Sequence, residues 1–200
     1  MSKIKLPHAS GNSMSIAAPA TNPASDLELK LPATIGSAGE VVQNSTTAGT
    51  LEMGSPFRPA FSARTSSQFN IAGETWVKYL FQTEYFDTDS AYDTSTSTFT
   101  VPANKGGAYQ INYQISIDDL DDDKYMVGRI YVNGSAIALE SGYFRSDGAS
   151  RITSSRQSVL WVLNAGDTVN IYTYTNQTGT QTSEDVMNHF SMFRLGGVAT

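Results

Sequence analysis

The feature that most constrains the fold is a long series of short strand patterns that begins at Pro59. From there to residue 200, no stretch of ten or more residues shows the 3.6-residue period of a helix. Apolar and polar residues alternate instead, most regularly from Tyr109 to Ile117, where Tyr109, Ile111, Tyr113, Ile115 and Ile117 are separated by polar residues. This alternation predicts strands with one buried face and one solvated face.

Strand patterns of this kind recur along the whole segment. They cover residues 61–71, 76–82, 97–101, 107–117, 125–132, 136–143, 152–163, 168–174 and 189–195. Asn133-Gly134 predicts a tight hairpin turn, because both residues tolerate a positive φ, and Ala165-Gly166-Asp167 predicts a second turn. Many short antiparallel strands at this spacing predict an all-β sandwich or jelly roll.

Composition divides the chain near residue 60. Only Phe57 of the 21 aromatic residues lies before residue 61, whereas six of the seven prolines do. A segment with so few large apolar residues cannot bury enough surface to order itself alone. We therefore predict an extended N-terminal docking arm over residues 1–58 and a domain over residues 59–200. Leu27, Leu29 and Leu31 predict one short strand in the arm, followed by turns.

Charge and composition exclude several classes of protein. A net charge of −6 and only 13 scattered basic residues argue against nucleic-acid binding. The absence of cysteine excludes a disulfide framework and thiolate metal sites. No signal peptide follows Met1–Lys5, and no apolar run of about 20 residues predicts a membrane span. We expect a soluble protein made in a reducing cytoplasm.

One segment of the arm resembles a known type of sequence. Leu29-Lys30-Leu31-Pro32, followed by Gly39-Glu40-Val41-Val42 and Gly49-Thr50-Leu51, is similar to a segment that recurs in tail-fibre and head-fibre proteins of tailed bacteriophages. The alternative reading of residues 29–52 is an ordinary turn-rich linker. The resemblance implies a virion protein.

The domain itself has a family resemblance. Its carriers are Pro59-Ala60-Phe61, Phe99-Thr100-Val101-Pro102, Gly107-Ala108-Tyr109, Ile130-Tyr131-Val132-Asn133-Gly134, residues 158–169 and the closing Phe190–Leu195. In this order they resemble the globular heads of the first complement component and the tumour-necrosis-factor superfamily. The resemblance implies a ten-stranded jelly roll that assembles as a trimer.

A trimer also fits the aromatic content, because 20 aromatic residues in one sandwich exceed what one core needs. We predict interface positions at Tyr109, Tyr113, Phe190, Phe193 and Leu195. The alternative is that each of these residues belongs to the core of the subunit.

The sequence offers little for catalysis. His8 and His189 are the two histidines, and no nucleophile stands beside either, so we predict no enzyme. Asp118, Asp119, Asp121, Asp122 and Asp123 form an acidic run that can supply oxygen ligands to calcium, but their spacing is irregular and a solvated loop is the favoured reading. We therefore predict no required cofactor. Tyr143, Phe144 and Arg145 form a candidate receptor-contacting rim, with a plain strand end as the alternative.

Three functions remain to be compared. The first is a trimeric head-decoration, cement or head-fibre protein, made in the host cytoplasm and carried on the phage particle. Its arm would dock on the major capsid protein or another virion protein through small apolar anchors, which we assign to Ile4, Leu6, Met14, Ile16, Leu27, Leu29 and Leu31. The second is a tail-fibre or baseplate adhesin that binds a host glycan or protein. The third, a depolymerase, is disfavoured by the thin acid–base inventory.

Overall fold

The computed structural model describes residues 3–7, 13–17, 28–45, 47, 49–55, 57–140, 144–145, 151–181 and 187–197. The chain divides into two compact units, residues 1–54 and residues 55–200. This division lies four residues before the boundary that composition predicts. Each unit is described separately below.

The described part of the first unit consists of two antiparallel hairpins. The first pairs β1 (Lys3–Pro7) with β2 (Ser13–Ala17), and the second pairs β3 (Val41–Asn44) with β4 (Leu51–Gly54). In the first hairpin Ile4 is opposite Ile16 and Leu6 is opposite Met14, so the backbone register pairs four of the predicted docking residues. Isolated hairpins of this length are marginally stable in water, which agrees with the expectation that the unit needs a partner.

The strand predicted around Leu29 and Leu31 is wrong over the residues that the structure describes. Residues 28–31 contribute a single parallel bridge between Lys30 and Thr50, and Leu29 and Leu31 are 64% and 77% exposed. Pro32 has no N–H to donate, and Gly36 turns the chain with a φ of 72°, so the segment ends before it can pair further. Leu27 lies outside the described residues.

The second unit is a sandwich of two sheets. Its strands are β5 (Ala60–Arg64), β6 (Asn70–Ile71), β7 (Trp76–Lys78), β8 (Thr83–Asp87), β9 (Tyr92–Asp93), β10 (Thr98–Thr100), β11 (Gly107–Leu120), β12 (Tyr125–Val132), β13 (Ser135–Glu140), β14 (Phe144–Arg145), β15 (Arg151–Leu163), β16 (Thr168–Thr175), β17 (Gly179–Gln181) and β18 (His189–Gly196). None of the described residues is helical, and therefore none forms a helix able to cross a membrane. The prediction of an all-β domain is confirmed.

The strands divide into two layers. Sheet 1 has the order β13-β12-β16-β10-β9, with β7 paired to β16 and β14 paired to β12. Sheet 2 has the order β6-β17-β11-β18-β5-β8, with β15 paired to β11. Every strand pair within these two layers is antiparallel, as the alternation of the sequence predicts.

Two predicted turns have the required backbone. Asn133 and Gly134 both have positive φ, 51° and 75°, so they form the predicted hairpin turn between β12 and β13. Gly166, with a φ of 89°, turns the chain between β15 and β16, and the Asp167 carboxylate accepts a hydrogen bond of 2.7 Å from the Asn164 N–H. The side-chain chemistry that predicted each turn therefore also fixes it.

The core lies between the sheets and is rich in stacked rings. Phe61 stacks on Tyr92 and Phe99 with centroid distances of 4.4 Å and 5.1 Å, and Phe190 meets Phe61 edge-on at 4.9 Å. Such contacts add about 0.5–1.5 kcal/mol each beyond the burial of their area.

This packing corrects the predicted trimer interface. Tyr109, Tyr113 and Phe190 are almost completely buried within the subunit itself. Alternation along β11 and β18 turns these side chains toward sheet 1, so they fill the space between the layers and leave no surface for a neighbouring subunit. Phe193 and Leu195 keep exposed surface.

Candidate functional site

The described residues do not assemble a catalytic or metal centre. No group of three or more His, Asp or Glu side chains converges among them. His189 lies on β18 between Gln114 of β11 and Arg64 of β5, without a nucleophile opposite it in either register. His8 lies outside the described residues.

The acidic run is split between a strand and a turn. Asp118 and Asp119 are the penultimate residues of β11, whereas Asp121, Asp122 and Asp123 occupy the exposed turn before β12. Gln177 fixes this turn, because its side chain accepts a bond from the Asp121 N–H and donates one to the Asp121 carboxylate, both 2.9 Å long. The described carboxylates of the run do not converge on one point.

The predicted receptor rim falls at the margin of the described chain. Tyr143 lies outside the described residues. Phe144 and Arg145 form β14, whose backbone pairs with Met126 and Tyr125 of β12. These two rim residues therefore extend sheet 1 instead of following the end of a strand.

The outward face of sheet 2 carries the most distinctive surface of the domain. In an antiparallel sheet, residues directly opposite each other share a face, so the register of β15, β11, β18 and β5 defines rows across it. The first two rows are apolar: Val162 lies opposite Ala108, and Leu160, Gln110, Phe193 and Ala60 lie side by side.

This apolar end is open to solvent. Leu160, Val162 and Leu195 are 59%, 56% and 45% exposed, and Phe193 is half-buried. Alternation along β18 places Phe193 and Leu195, both predicted as interface residues, on this face. Clustered exposed aliphatic side chains are uncommon on monomeric proteins and mark interaction surfaces.

The middle row of the face is polar and internally hydrogen-bonded. It consists of Ser158, Asn112, Ser191 and Ser62. The Ser158 hydroxyl donates to the Asn112 carboxamide oxygen at 2.7 Å, and the Gln110 amide donates to the Ser158 oxygen at 2.7 Å. Because these groups bond to each other, burying the row against another surface leaves few unsatisfied polar atoms.

The next row is cationic. Arg156, Gln114, His189 and Arg64 lie side by side across four strands. Between this row and the polar row lies a shallow depression of about 480 Å³, bordered by Arg156, Gln114 and His189. Burial lowers the pKa of His189, because the half-buried imidazole loses hydration that its charged form needs. The neutral imidazole is therefore favoured in the folded domain.

The face is thus graded from aliphatic, through polar, to cationic. Sequence reasoning identified Phe193 and Leu195 but missed Leu160, Val162 and Arg156. A signal was present, because residues 159–163 are apolar at every position, and a continuous apolar run is typical of a strand that is covered on both faces.

Comparisons with known proteins agree with this architecture. The C1q domain model matches residues 60–195. The structure is similar to Eiger TNF from S. frugiperda, with a TM-score of 0.51 and 12% identity over 72% of this chain and 96% of that chain. It is also similar to the globular domain of the zebrafish complement 1qA protein, with a TM-score of 0.48 and 16% identity over 70% of this chain and 100% of that chain. Murine APRIL at pH 5.0 has a TM-score of 0.49 and 11% identity over 68% of this chain and 98% of that chain.

No curated protein matches the chain. The resemblance inferred from the residues is confirmed for the fold, which is the all-β sandwich of C1q and TNF domains. Domains of this type form homotrimers and are typically non-enzymatic binding or structural modules. Because the C1q model covers well over half of the sequence, the chain belongs to the C1q domain family.

Proposed function

We propose that this chain is a non-enzymatic structural protein that works as a homotrimer through the outward face of sheet 2. The observation that carries the proposal is the apolar end of that face, where Leu160, Val162 and Leu195 stand in solvent. We call the outward face of β15, β11, β18 and β5 the assembly face.

The composition of the assembly face suits a specific contact. The aliphatic end supplies affinity, because burial of apolar surface contributes about 25 cal/mol per Å². The polar row, with Ser158 and Asn112 already bonded to each other, can be covered at little cost. The cationic row opposes any register that would bring Arg156 and Arg64 of several copies together without counter-charges.

The trimer is proposed to belong to a tailed-phage particle. The support is the resemblance of residues 29–52 to phage fibre segments, and a first unit whose described strands are only two short hairpins. In this proposal the first unit docks on the major capsid protein or another virion protein, and the C1q domain projects from the head as a decoration, cement or head-fibre module. The protein is then made in the host cytoplasm and resides on the virion surface.

A tail-fibre or baseplate adhesin is the second candidate. The same fibre-like residues, 29–52, favour it, since such segments recur in tail fibres as well as head fibres. In that role the trimer contacts a host surface glycan or protein. Both candidates share the trimer and differ only in where the first unit attaches.

Sedimentation velocity of the full chain tests the oligomeric state. The expected species has three times the 21.6 kDa mass of the chain at micromolar concentration. A stable monomer across the accessible concentrations would contradict the proposed trimer, whatever the location of the protein.

Imaging of labelled protein on intact virions tests the location. Label over the icosahedral shell supports the decoration role, and label at the tail supports the adhesin. A fragment of residues 57–200 is expected to fold and trimerise but to lose its attachment, because it lacks the first unit. Undiminished binding of that fragment to undecorated capsids would contradict the docking role of the first unit.

A further inference from the structure

A second surface stands on the outward face of sheet 1 and consists mainly of aromatic rings. Alternation along β12 and β16 buries Met126, Ile130 and Ile171 toward the core and turns their neighbours outward. The outward, half-buried rings form what we call the aromatic face: Trp76, Tyr125, Tyr131, Tyr172 and Tyr174.

The rings of the aromatic face brace one another. Tyr131 stacks on Tyr172 with a centroid distance of 4.1 Å, and Tyr125 stacks on Tyr174 at 6.0 Å. Trp76 contacts Tyr174 and Tyr131 at 5.6 Å and 6.3 Å. Because each ring is already held by a neighbour, a ligand that binds here orders few side chains, and the entropic cost of binding is small.

Cationic residues border these rings. Register places Arg129 and Lys78 on either side of Tyr172, and the Arg129 guanidinium lies 4.3 Å above the Trp76 ring. Backbone pairing also places Arg145 opposite Tyr125. One acidic residue, Glu140, is opposite Arg129 on β13.

The charge around the rings is thus opposite in sign to that of the whole chain. Three cationic residues and one acidic residue occupy these register positions, whereas the chain carries a net charge of −6. A local excess of positive charge on an acidic protein is complementary to an anionic ligand.

We propose that the aromatic face binds an acidic saccharide, a glycan that carries carboxylate groups. The C–H groups of a sugar ring pack on aromatic rings, whose faces are electronegative. The planar Arg129 guanidinium pairs with a carboxylate, and tyrosine hydroxyls exchange hydrogen bonds with sugar hydroxyls. A nucleic acid fits poorly, because its phosphate backbone needs many more clustered cations than this face has.

The proposal does not depend on the proposed trimer or on a virion location. The aromatic face belongs to sheet 1, and the assembly face belongs to sheet 2 on the opposite side of the sandwich. A trimer assembled through sheet 2 leaves the aromatic face open, so each subunit carries one site. The test can therefore succeed or fail whether or not the trimer exists.

Isothermal titration of the full chain with oligogalacturonate tests the proposal, with a neutral malto-oligosaccharide of equal length as the comparison ligand. The expected result is saturable binding of the acidic ligand that weakens with salt, with the neutral ligand bound at least tenfold more weakly. Arg129→Gln is expected to weaken acidic binding about tenfold or more, and Lys78→Gln by a smaller factor. Trp76 fluorescence is expected to change on binding, and a Trp161→Phe background isolates that signal.

Tyr85→Ala is the matched control for loss of an exposed aromatic side chain, because Tyr85 is 60% exposed on β8 of sheet 2. It is expected to bind the acidic ligand like the unaltered chain, and melting curves establish that each variant is folded. The proposal is overturned if the acidic ligand does not bind, if the neutral ligand binds equally well, or if folded Arg129→Gln and Lys78→Gln variants bind unchanged. Capture of a protein on this face in place of the saccharide would also overturn it.

Discussion

Replacement of Leu160 by serine is expected to dissociate the proposed trimer without unfolding the subunit. Leu160 stands on the outward side of β15 and packs little against its own domain, because 59% of it is exposed. The substitution therefore removes apolar surface from the assembly face and leaves the core between the sheets unchanged. We expect the thermal stability of the monomeric subunit to change by less than about 0.5 kcal/mol, as for most surface substitutions.

The size of the effect on assembly follows from the exposed fraction. Complete burial of a leucine side chain contributes about 1.5–3 kcal/mol. With 59% of Leu160 still to be buried, its burial in an interface contributes about 1–2 kcal/mol per subunit, and about 3–5 kcal/mol per trimer. This corresponds to a loss of about 10²–10⁴ in the trimer association constant. Because that constant scales with the square of concentration, the midpoint of assembly shifts upward about 10- to 60-fold.

Sedimentation velocity over a dilution series measures this midpoint directly. Leu31→Ser is the matched control, because Leu31 is a comparably exposed leucine of the first unit. It is expected to leave the midpoint of assembly unchanged. If Leu160→Ser leaves the midpoint where it was, or if both substitutions shift it equally, the assignment of the assembly face is refuted.

Three further predictions concern the stability of the domain. Burial lowers the pKa of His189 below the value of about 6.5 of an exposed histidine, so the unfolded chain binds a proton more readily. The free energy of unfolding should therefore fall as the pH drops below about 6.5, and His189→Gln should flatten that part of a denaturation profile measured from pH 5 to 8; an unchanged slope would contradict the assignment. Tyr79→Phe removes a buried hydroxyl that accepts from the Ser116 N–H at 3.1 Å, and should cost about 1–3 kcal/mol in urea unfolding, whereas a loss below about 0.5 kcal/mol would count against that network. Gly128→Ala places a methyl group 2.6 Å from the hydroxyl of buried Tyr113, and should cost about 1–3 kcal/mol in the same assay; a neutral result would show that the core yields there.

The sequence predicts the long strands well because their alternation is regular. Residues 125–132 match β12 at both ends, and β15, β16 and β18 begin and end within one residue of their predicted bounds. In β11 the predicted buried positions Tyr109 to Ile117 are indeed buried, and Gln110, Asn112 and Gln114 are half-exposed. Period-2 patterns over eight or more residues leave little choice of face.

Short and polar strands escape this reasoning. β8 has the sequence Thr-Glu-Tyr-Phe-Asp, and its acidic residues favoured a solvated loop. The structure instead pairs it with β5, and the Asp87 carboxylate accepts a hydrogen bond of 2.7 Å from the Tyr92 N–H. An acidic residue at the end of an edge strand caps the following loop, and this role depends on contacts that the sequence does not display.

The trimer residues show a different limit of the sequence. Alternation tells which side chains share a face, but it does not tell whether that face meets the other sheet of the same subunit or a neighbouring copy. Tyr109, Tyr113 and Phe190 share a face with the core residue Ile111, so they pack inside the subunit. The apolar side chains of the assembly face come from the opposite alternation, in particular Leu160 and Val162 of β15.

The two outward faces of the sandwich divide the surface chemistry of the domain in a way that the strand pattern explains. β15 is apolar on both sides near its end, at Val159 to Leu163, because one side packs against sheet 1 and the other is available to a second copy. β12 and β16 instead alternate small or aliphatic inward residues with large rings outward, at Tyr131 and Tyr172. An aliphatic surface favours a permanent contact with a partner of matching shape, whereas rings with hydroxyls and adjacent cations suit a ligand that exchanges with water. In the proposed trimer, sheet 2 therefore holds the copies together, and sheet 1 faces outward with three copies of the aromatic face. Repetition of that face raises the avidity for a repeating polymer beyond the affinity of any single site.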